Sequence, residues 1–301
     1  MPINFKFARV VTLQVVLSFL SLLQQCEVFA DALSVGQWES VNSQPGRCVQ
    51  ILLRKQHQFE PQLPTFVITH GMGGTQLDDR FHLLADAIVE TLPESNVILI
   101  NWTDASCKKA SFLGLPSPWE VAKDIDRVAL EAAENLQSMG SEASSTTFIG
   151  ESFGNCVNAR IAERLGRHGR MLAFNPPNAA GGYKTPNLRT CADLTWSFHT
   201  FSVFDTQDNI AHVGFFLETQ VNATPCDQHV AGVSWLANQV QSGNTSWLLM
   251  QHQIAETRHD EFDAIAAISG ELINDQHPPR QRPPAIDAIA KSSAPVITTA
   301  L

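Results

Sequence analysis

The fold of this chain is constrained most by a regular alternation of short apolar runs with amphipathic helical stretches. Three of the runs, Thr65–Thr69, Asn96–Asn101 and Arg170–Phe174, consist mostly of aliphatic and aromatic residues. Strands that are apolar throughout are typical of a parallel sheet that is covered on both faces. The sequence therefore predicts an α/β fold with a mainly parallel central sheet and helices on both faces.

The remaining periodic segments fit the same plan. Residues 146–149 and 197–204 have the composition of further strands, and the helical patterns cover residues 78–92, 118–139, 155–165 and 233–240. In residues 118–139 the apolar side chains recur every three or four positions, which predicts one buried helix face. No internal repeat interrupts this order.

A glycine-flanked serine lies between one predicted strand and the next predicted helix. The segment reads Gly150-Glu151-Ser152-Phe153-Gly154. In a strand-turn-helix context this pattern is typical of a nucleophile elbow, in which the serine takes a strained backbone conformation at the tip of the turn. The turn exposes the hydroxyl at a helix N-terminus, where developing negative charge is favoured. Ser152 is the predicted nucleophile, and a tight turn without chemistry is the alternative.

A nucleophilic serine needs a base, and in the order serine, acid, histidine the base comes later in the chain. His229 is the best-placed candidate, because it follows Cys226 in a predicted polar loop that precedes the helical run 233–240. The other downstream histidines are interpreted as structural or surface residues: His199, His212, His252 and His259.

The orienting acid is expected on the loop after strand 197–204. Asp208 is the first choice there and Asp205 is the alternative. Such a carboxylate would hold the imidazole in its productive tautomer and stabilise the imidazolium, so Asp208→Asn is expected to lower turnover by orders of magnitude. Both aspartates could instead form an Asx turn at the strand end.

The oxyanion hole is expected from two backbone N–H groups, those of Phe153 and Met72. Glycines 71, 73 and 74 would keep the loop that carries Met72 close to the serine. No Lys-Ser or Lys-Thr pair follows this glycine-rich loop, which argues against a nucleotide site. The sequence indicates neither a cofactor nor a metal.

At these residues the chain resembles the pancreatic-type lipase family over about residues 65–240. His70-Gly71 is similar to the family's oxyanion loop, and residues 96–102 (NVILINW) are similar to its strand that ends in Asp-Trp. Residues 211–216 are similar to the family's Gly-His-Val-Asp-Phe-Tyr segment. The elbow matches, although the family usually has His where Glu151 stands. Residues 226–229 resemble the Cys-x-His that carries the family's catalytic histidine, with one extra residue. The resemblance implies the α/β-hydrolase fold and ester hydrolysis.

The chain departs from the family at the position of its acid. The family's Leu-Asp-Pro segment reads Phe174-Asn175-Pro176 here, and a neutral amide cannot supply the charge of a carboxylate. Either the acid has moved to Asp208 or Asp205, or the triad is incomplete. We favour a moved acid, and we therefore expect Asn175→Ala to have little effect on turnover. We also expect neither a helical lid, for which residues 217–225 are too few, nor a counterpart of the family's C-terminal β-sandwich.

The ends of the chain differ in composition from its centre. Residues 1–30 combine Lys6 and Arg9 with an apolar run of about 14 residues, shorter than the roughly 20 that span a bilayer, and then a small-residue cleavage site. We expect a cleaved signal peptide over residues 1–30, a catalytic domain over 31–272 and a disordered Pro-rich tail over 273–301. No transmembrane segment is expected after cleavage, and the protein is predicted to be secreted, extracellular or periplasmic.

The formal net charge of −10 argues against nucleic acid as a partner, because binding it requires neutralisation of phosphates. The expected partner is an ester or lipid substrate, with transient contact to a lipid interface. The leading hypothesis is a secreted, lipase-like carboxylic-ester hydrolase that forms an acyl-enzyme. A lipase-like binding or storage protein without activity is the alternative, and a peptidase on the same fold is a third.

Cys156, close behind the serine, is predicted to be a buried free thiol.

Overall fold

The computed structural model describes residues 38–42, 48–55, 57–73, 79–107, 117–177, 183, 185–200, 210–217, 225–243, 245 and 248. Side chains 213, 216 and 225–227 are outside this description. The predicted signal peptide, the predicted tail and both acid candidates, Asp205 and Asp208, lie outside the described residues, so those predictions stay open.

Eight strands of the described chain form one sheet in the order β1-β2-β4-β3-β5-β6-β7-β8. The β1–β2 and β2–β4 pairs are antiparallel and the other five pairs are parallel. The strands are β1 Trp38–Ser40, β2 Gln50–Arg54, β3 Thr65–Thr69, β4 Asn96–Asn101, β5 Thr146–Glu151, β6 Arg170–Phe174, β7 Leu194–Thr200 and β8 Val213–Leu217.

Helices cover both faces of this sheet. They are α1 Asp79–Thr91, the one-turn α2 Thr103–Ser106, α3 Pro118–Ser138, α4 Phe153–Arg164 and α5 Pro225–Gln241. Helices α1 and α5 pack together in one apolar cluster, and α3 and α4 share the other. The predicted α/β fold with a mainly parallel sheet and two covered faces is confirmed.

The strands with the most uniform apolar composition, β3, β4 and β6, have the predicted bounds. Strand β7 begins three residues earlier than predicted, at Leu194, because Leu194, Thr195 and Trp196 are also buried between β6 and β8. The three outer strands β1, β2 and β8 were not predicted, since short strands give a weak periodic signal.

The prediction that His229 lies in a loop is wrong. It lies in the second turn of α5, which begins at Pro225. Proline is favoured in the first turn of a helix, where the missing N–H costs nothing. Pro225 is the signal that would have placed the helix start before the histidine.

The parallel register brings the candidate residues to one edge of the sheet. Thr69 is the partner of Gly150, Glu151 of Phe174, and Phe174 of Phe198. The segments that follow β3, β5 and β6 therefore leave the sheet side by side. No helix in the described part of the chain is long and apolar enough to cross a membrane.

Candidate active site

Ser152 forms the turn between β5 and α4 and has the strained backbone predicted for an elbow. Its φ of 51° and ψ of −124° lie in a region that residues with a side chain rarely adopt. The Ser152 N–H donates to the carbonyl oxygen of Phe174 at 2.9 Å, and the Asn155 amide donates to the Phe174 and Ser152 carbonyl oxygens at 2.8 and 3.0 Å. These bonds fix the serine at the end of β6, so surrounding structure holds the strained conformation in place.

Two glycines allow the backbone segments around Ser152 to approach closely. A Cβ on Gly154 would lie 2.3 Å from the carbonyl oxygen of Thr69, and one on Gly71 would lie 2.9 Å from Cβ of Ser152. Side chains at these positions would push α4 away from β3 and the oxyanion loop away from the elbow. The glycine pattern read from the sequence thus reflects close approach of three segments.

His70 determines the shape of the loop that follows β3. Its ring stacks on Trp102 with centroids 5.7 Å apart, and its Nε2 accepts the Trp102 backbone N–H at 3.3 Å. Because Nε2 accepts, Nδ1 carries the proton and donates to the Gly71 carbonyl oxygen at 2.9 Å. Indole Nε1 of Trp102 donates to the carbonyl oxygen of His70 at 2.8 Å. The loop is therefore attached to the end of β4, and its Gly71 carbonyl is turned toward the imidazole.

The two predicted oxyanion donors lie in the expected segments. Phe153 is the first residue of α4, so its N–H has no acceptor within the helix. Met72 follows Gly71 in the loop after β3 and is half-buried against the core. Among the described residues neither N–H has a hydrogen-bond acceptor. Both N–H groups therefore stay candidates for the predicted oxyanion hole.

His229 contacts the carboxylate of Glu151, a residue of the turn at Ser152 that the sequence analysis did not assign to the site. Its Nε2 lies 2.9 Å from Oε1 of Glu151, and the two side chains are 13% and 5% exposed. A Cβ on Gly71 would meet the other Glu151 oxygen at 2.3 Å, so the carboxylate lies between the oxyanion loop and the imidazole. The available signal in the sequence was Glu151 itself, a charged residue directly before the predicted nucleophile.

Asn175 uses its whole side chain to join three segments. Its amide nitrogen donates to Thr200 Oγ1 at 2.7 Å and to the carbonyl oxygen of His229, and its amide oxygen accepts the Thr200 N–H at 2.8 Å. The residue is fully buried and has a positive φ of 45°, which Asn tolerates better than most residues. Asn175 therefore holds the backbone of the candidate base, and the expectation that Asn175→Ala has little effect needs revision.

The histidines interpreted as structural have structural contacts. Nδ1 of His212 lies 2.7 Å from Thr195 Oγ1 and also accepts the Thr195 N–H, which joins β7 to the start of β8. Nε2 of His199 lies 2.9 Å from Ser197 Oγ inside β7. His252 and His259 lie outside the described residues.

Cys156 is buried in α4 and forms no disulfide, as predicted for a free thiol. Complete burial raises the pKa of its thiol to about 12, although a contact with Thr185 Oγ1 at 3.6 Å and the charge of Arg160 act in the opposite direction. The thiol is thus a neutral packing group behind the elbow. No group of His, Cys, Asp and Glu in the described chain has the arrangement of a metal site.

The order and direction of the strands, the turn at Ser152 between β5 and α4, and a histidine near the start of α5 define the α/β-hydrolase fold. No family model matches the chain, and no curated protein matches it. Solved structures similar to it include an esterase from Pyrobaculum calidifontis, at 14% identity over 78% of this chain and 92% of that one, with a TM-score of 0.38. Two others are a predicted CIB-like hydrolase from Thermoplasma acidophilum (12%, 67% and 98%, TM-score 0.42) and a putative α/β hydrolase from Xanthomonas campestris (15%, 60% and 99%, TM-score 0.41).

Proposed function

We propose that this protein is a secreted serine hydrolase that cleaves carboxylic esters, with a lipid or other acyl ester as substrate. The observation that carries the proposal is the conformation of Ser152, a non-glycine residue at φ 51° between β5 and α4. Strain of this kind persists where function requires it, and here it presents the hydroxyl at a helix N-terminus. His229 and two N–H groups that have no acceptor among the described residues, those of Phe153 and Met72, belong to segments around the same turn.

In the proposed reaction Ser152 attacks the ester carbonyl carbon while His229 accepts its hydroxyl proton. The N–H groups of Phe153 and Met72 donate to the carbonyl oxygen as it gains negative charge. Collapse of the intermediate releases the alcohol, which takes the proton from the imidazolium. Water then hydrolyses the acyl-enzyme by the same sequence of steps. Asp208, with Asp205 as alternative, remains the acid predicted from the sequence.

A fluorophosphonate probe tests this proposal, because it reacts with an activated serine. The folded wild type is expected to be labelled at Ser152, as mapped by peptide mass, and labelling is expected to be lost in Ser152→Ala. Ser138→Ala is a suitable control, since Ser138 ends the helix α3 and its hydroxyl donates to Asn135. Hydrolysis of a soluble short-chain ester and of an emulsified glyceride, measured side by side, would then define the substrate class.

One observation favours a second function, that of a lipase-like binding protein without activity. The position of the resembling family's acid holds Asn175, whose amide is fully used in structural hydrogen bonds. An unlabelled, folded wild type that binds an ester lipid without hydrolysing it would support this function and contradict the enzyme.

A further inference from the structure

Glu151 is a buried carboxylate whose charge needs a partner. Its side chain is 5% exposed at the end of β5, and Nε2 of His229 is 2.9 Å from its Oε1. Oε1 accepts no aligned hydrogen bond from the described part of the chain, so the contact becomes an ion pair only when the imidazole takes up a proton. Burying an ionised carboxylate is costly unless an opposite charge compensates it. In the described chain the imidazole of His229 is the group placed to do so.

The position of Glu151 beside the oxyanion loop strengthens this argument. Its second oxygen occupies the space where a side chain on Gly71 would lie. An uncompensated negative charge there would oppose the negative charge that develops on the substrate oxygen. Once His229 is protonated, the carboxylate and the imidazolium form a neutral pair. The carboxylate is therefore compatible with ester hydrolysis when it acts together with His229.

Asn175 and Glu151 contact different parts of the same histidine. Asn175 donates to the backbone carbonyl of His229, whereas Glu151 faces the imidazole ring. The neutral amide can fix the position of the residue but cannot stabilise a positive ring. The two tasks that one aspartate performs in an ordinary triad, orientation and charge compensation, are here available from two residues.

We infer that Glu151 is a positioning residue that stabilises the imidazolium of His229 during ester hydrolysis, an inference that rests on the proposed function. As the bond between Ser152 Oγ and the carbonyl carbon forms, the hydroxyl proton moves to the imidazole and the carbonyl electron pair moves to oxygen. Glu151 remains ionised throughout and faces the new positive charge. When the leaving alcohol takes the proton back, the ring returns to its neutral form.

The test compares Glu151→Gln, which keeps the shape and removes the charge, with Asp208→Asn and Asp205→Asn. Glu151→Gln is expected to lower kcat by about a hundredfold or more with a KM within about threefold of wild type, since the charge acts on the transition state. The rate of fluorophosphonate labelling of Ser152 is expected to fall in parallel. A Glu151→Gln variant with kcat within about twofold of wild type, next to an inactive Asp208→Asn, would overturn the inference.

Chemical rescue separates the charge from a purely structural role. Sodium formate is expected to raise the kcat of Glu151→Ala by at least about tenfold. Sodium chloride at the same ionic strength is expected to leave that kcat unchanged. Equal effects of both salts would contradict the inference. If Glu151→Ala does not fold, the kinetics of Glu151→Gln decide alone. The proposed function is tested independently, because an unlabelled wild-type Ser152 would refute the enzyme before any Glu151 variant is compared.

Discussion

The hydrogen bonds of Asn175 explain why an amide suits this position. The side chain must donate to a carbonyl oxygen, that of His229, and accept from the N–H of Thr200. An amide carries both a donor and an acceptor, whereas an ionised carboxylate only accepts. At the residue scale, the amide of Asn175 is therefore a structural group.

Replacing Asn175 is therefore expected to destabilise the fold. In Asn175→Ala two buried backbone partners lose their hydrogen bonds and an alanine must adopt a positive φ, which together predict a loss of about 3 kcal/mol in the free energy of unfolding. Asn175→Asp is expected to lose a similar amount, because a carboxylate oxygen would face the carbonyl oxygen of His229. Urea unfolding of the three proteins measures both values. An Asn175→Asp variant as stable as the wild type would contradict this account.

At the scale of elements, the contact between α4 and the end of β3 leaves no room for a side chain. A Cβ on Gly154 would lie 2.3 and 2.7 Å from the carbonyl oxygens of Thr69 and His70, which are backbone atoms and cannot rotate away. Gly214 in β8 is a matched comparison, because among the described atoms a Cβ there would meet Ser197 Oγ alone, at 3.4 Å.

Gly154→Ala is accordingly expected to lower the free energy of unfolding by about 3 kcal/mol and to slow labelling of Ser152, since α4 must shift. Gly214→Ala is expected to change the free energy of unfolding by less than about 1 kcal/mol. Thermal unfolding and probe labelling of both variants check the pair. Equal stability of the two would show that α4 can move without cost.

At the scale of the whole molecule, burial of thiols links stability to alkaline pH. Burial is the main cause that raises the pKa of Cys156 from 9.0 to about 12. It also raises the pKa values of Cys48 and Cys191 from 9.0 to about 11. Above pH 9.0 the unfolded chain loses protons that the folded chain keeps, so the stability contribution is present in full below pH 9.0 and is lost as the pH rises towards the folded values.

The free energy of unfolding in reducing buffer is therefore expected to fall between pH 8 and pH 10. In Cys156→Ala this fall is expected to be smaller than in the wild type by about 1 kcal/mol, because one buried thiol no longer contributes. Urea unfolding at the two pH values measures it. An identical fall in both proteins would mean that Cys156 becomes exposed without unfolding.

The sequence alone determined what depends on local pattern. A strand in a sheet that is covered on both faces is apolar along its whole length, so an apolar run marks both of its ends. The bounds of β3, β4 and β6 were therefore predicted. The glycine spacing around Ser152 similarly predicted the elbow, because few residues can form a strand-to-helix turn that tight.

Tertiary structure alone decided which side chains meet at the sheet edge. The contact of Glu151 with His229 and the hydrogen bond from Asn175 to the same histidine join residues far apart in the chain. They exist because the parallel register brings the ends of β5 and β6 together and α5 packs against β6 and β7. No local preference encodes such a meeting, since it depends on the packing of segments that are separated in sequence.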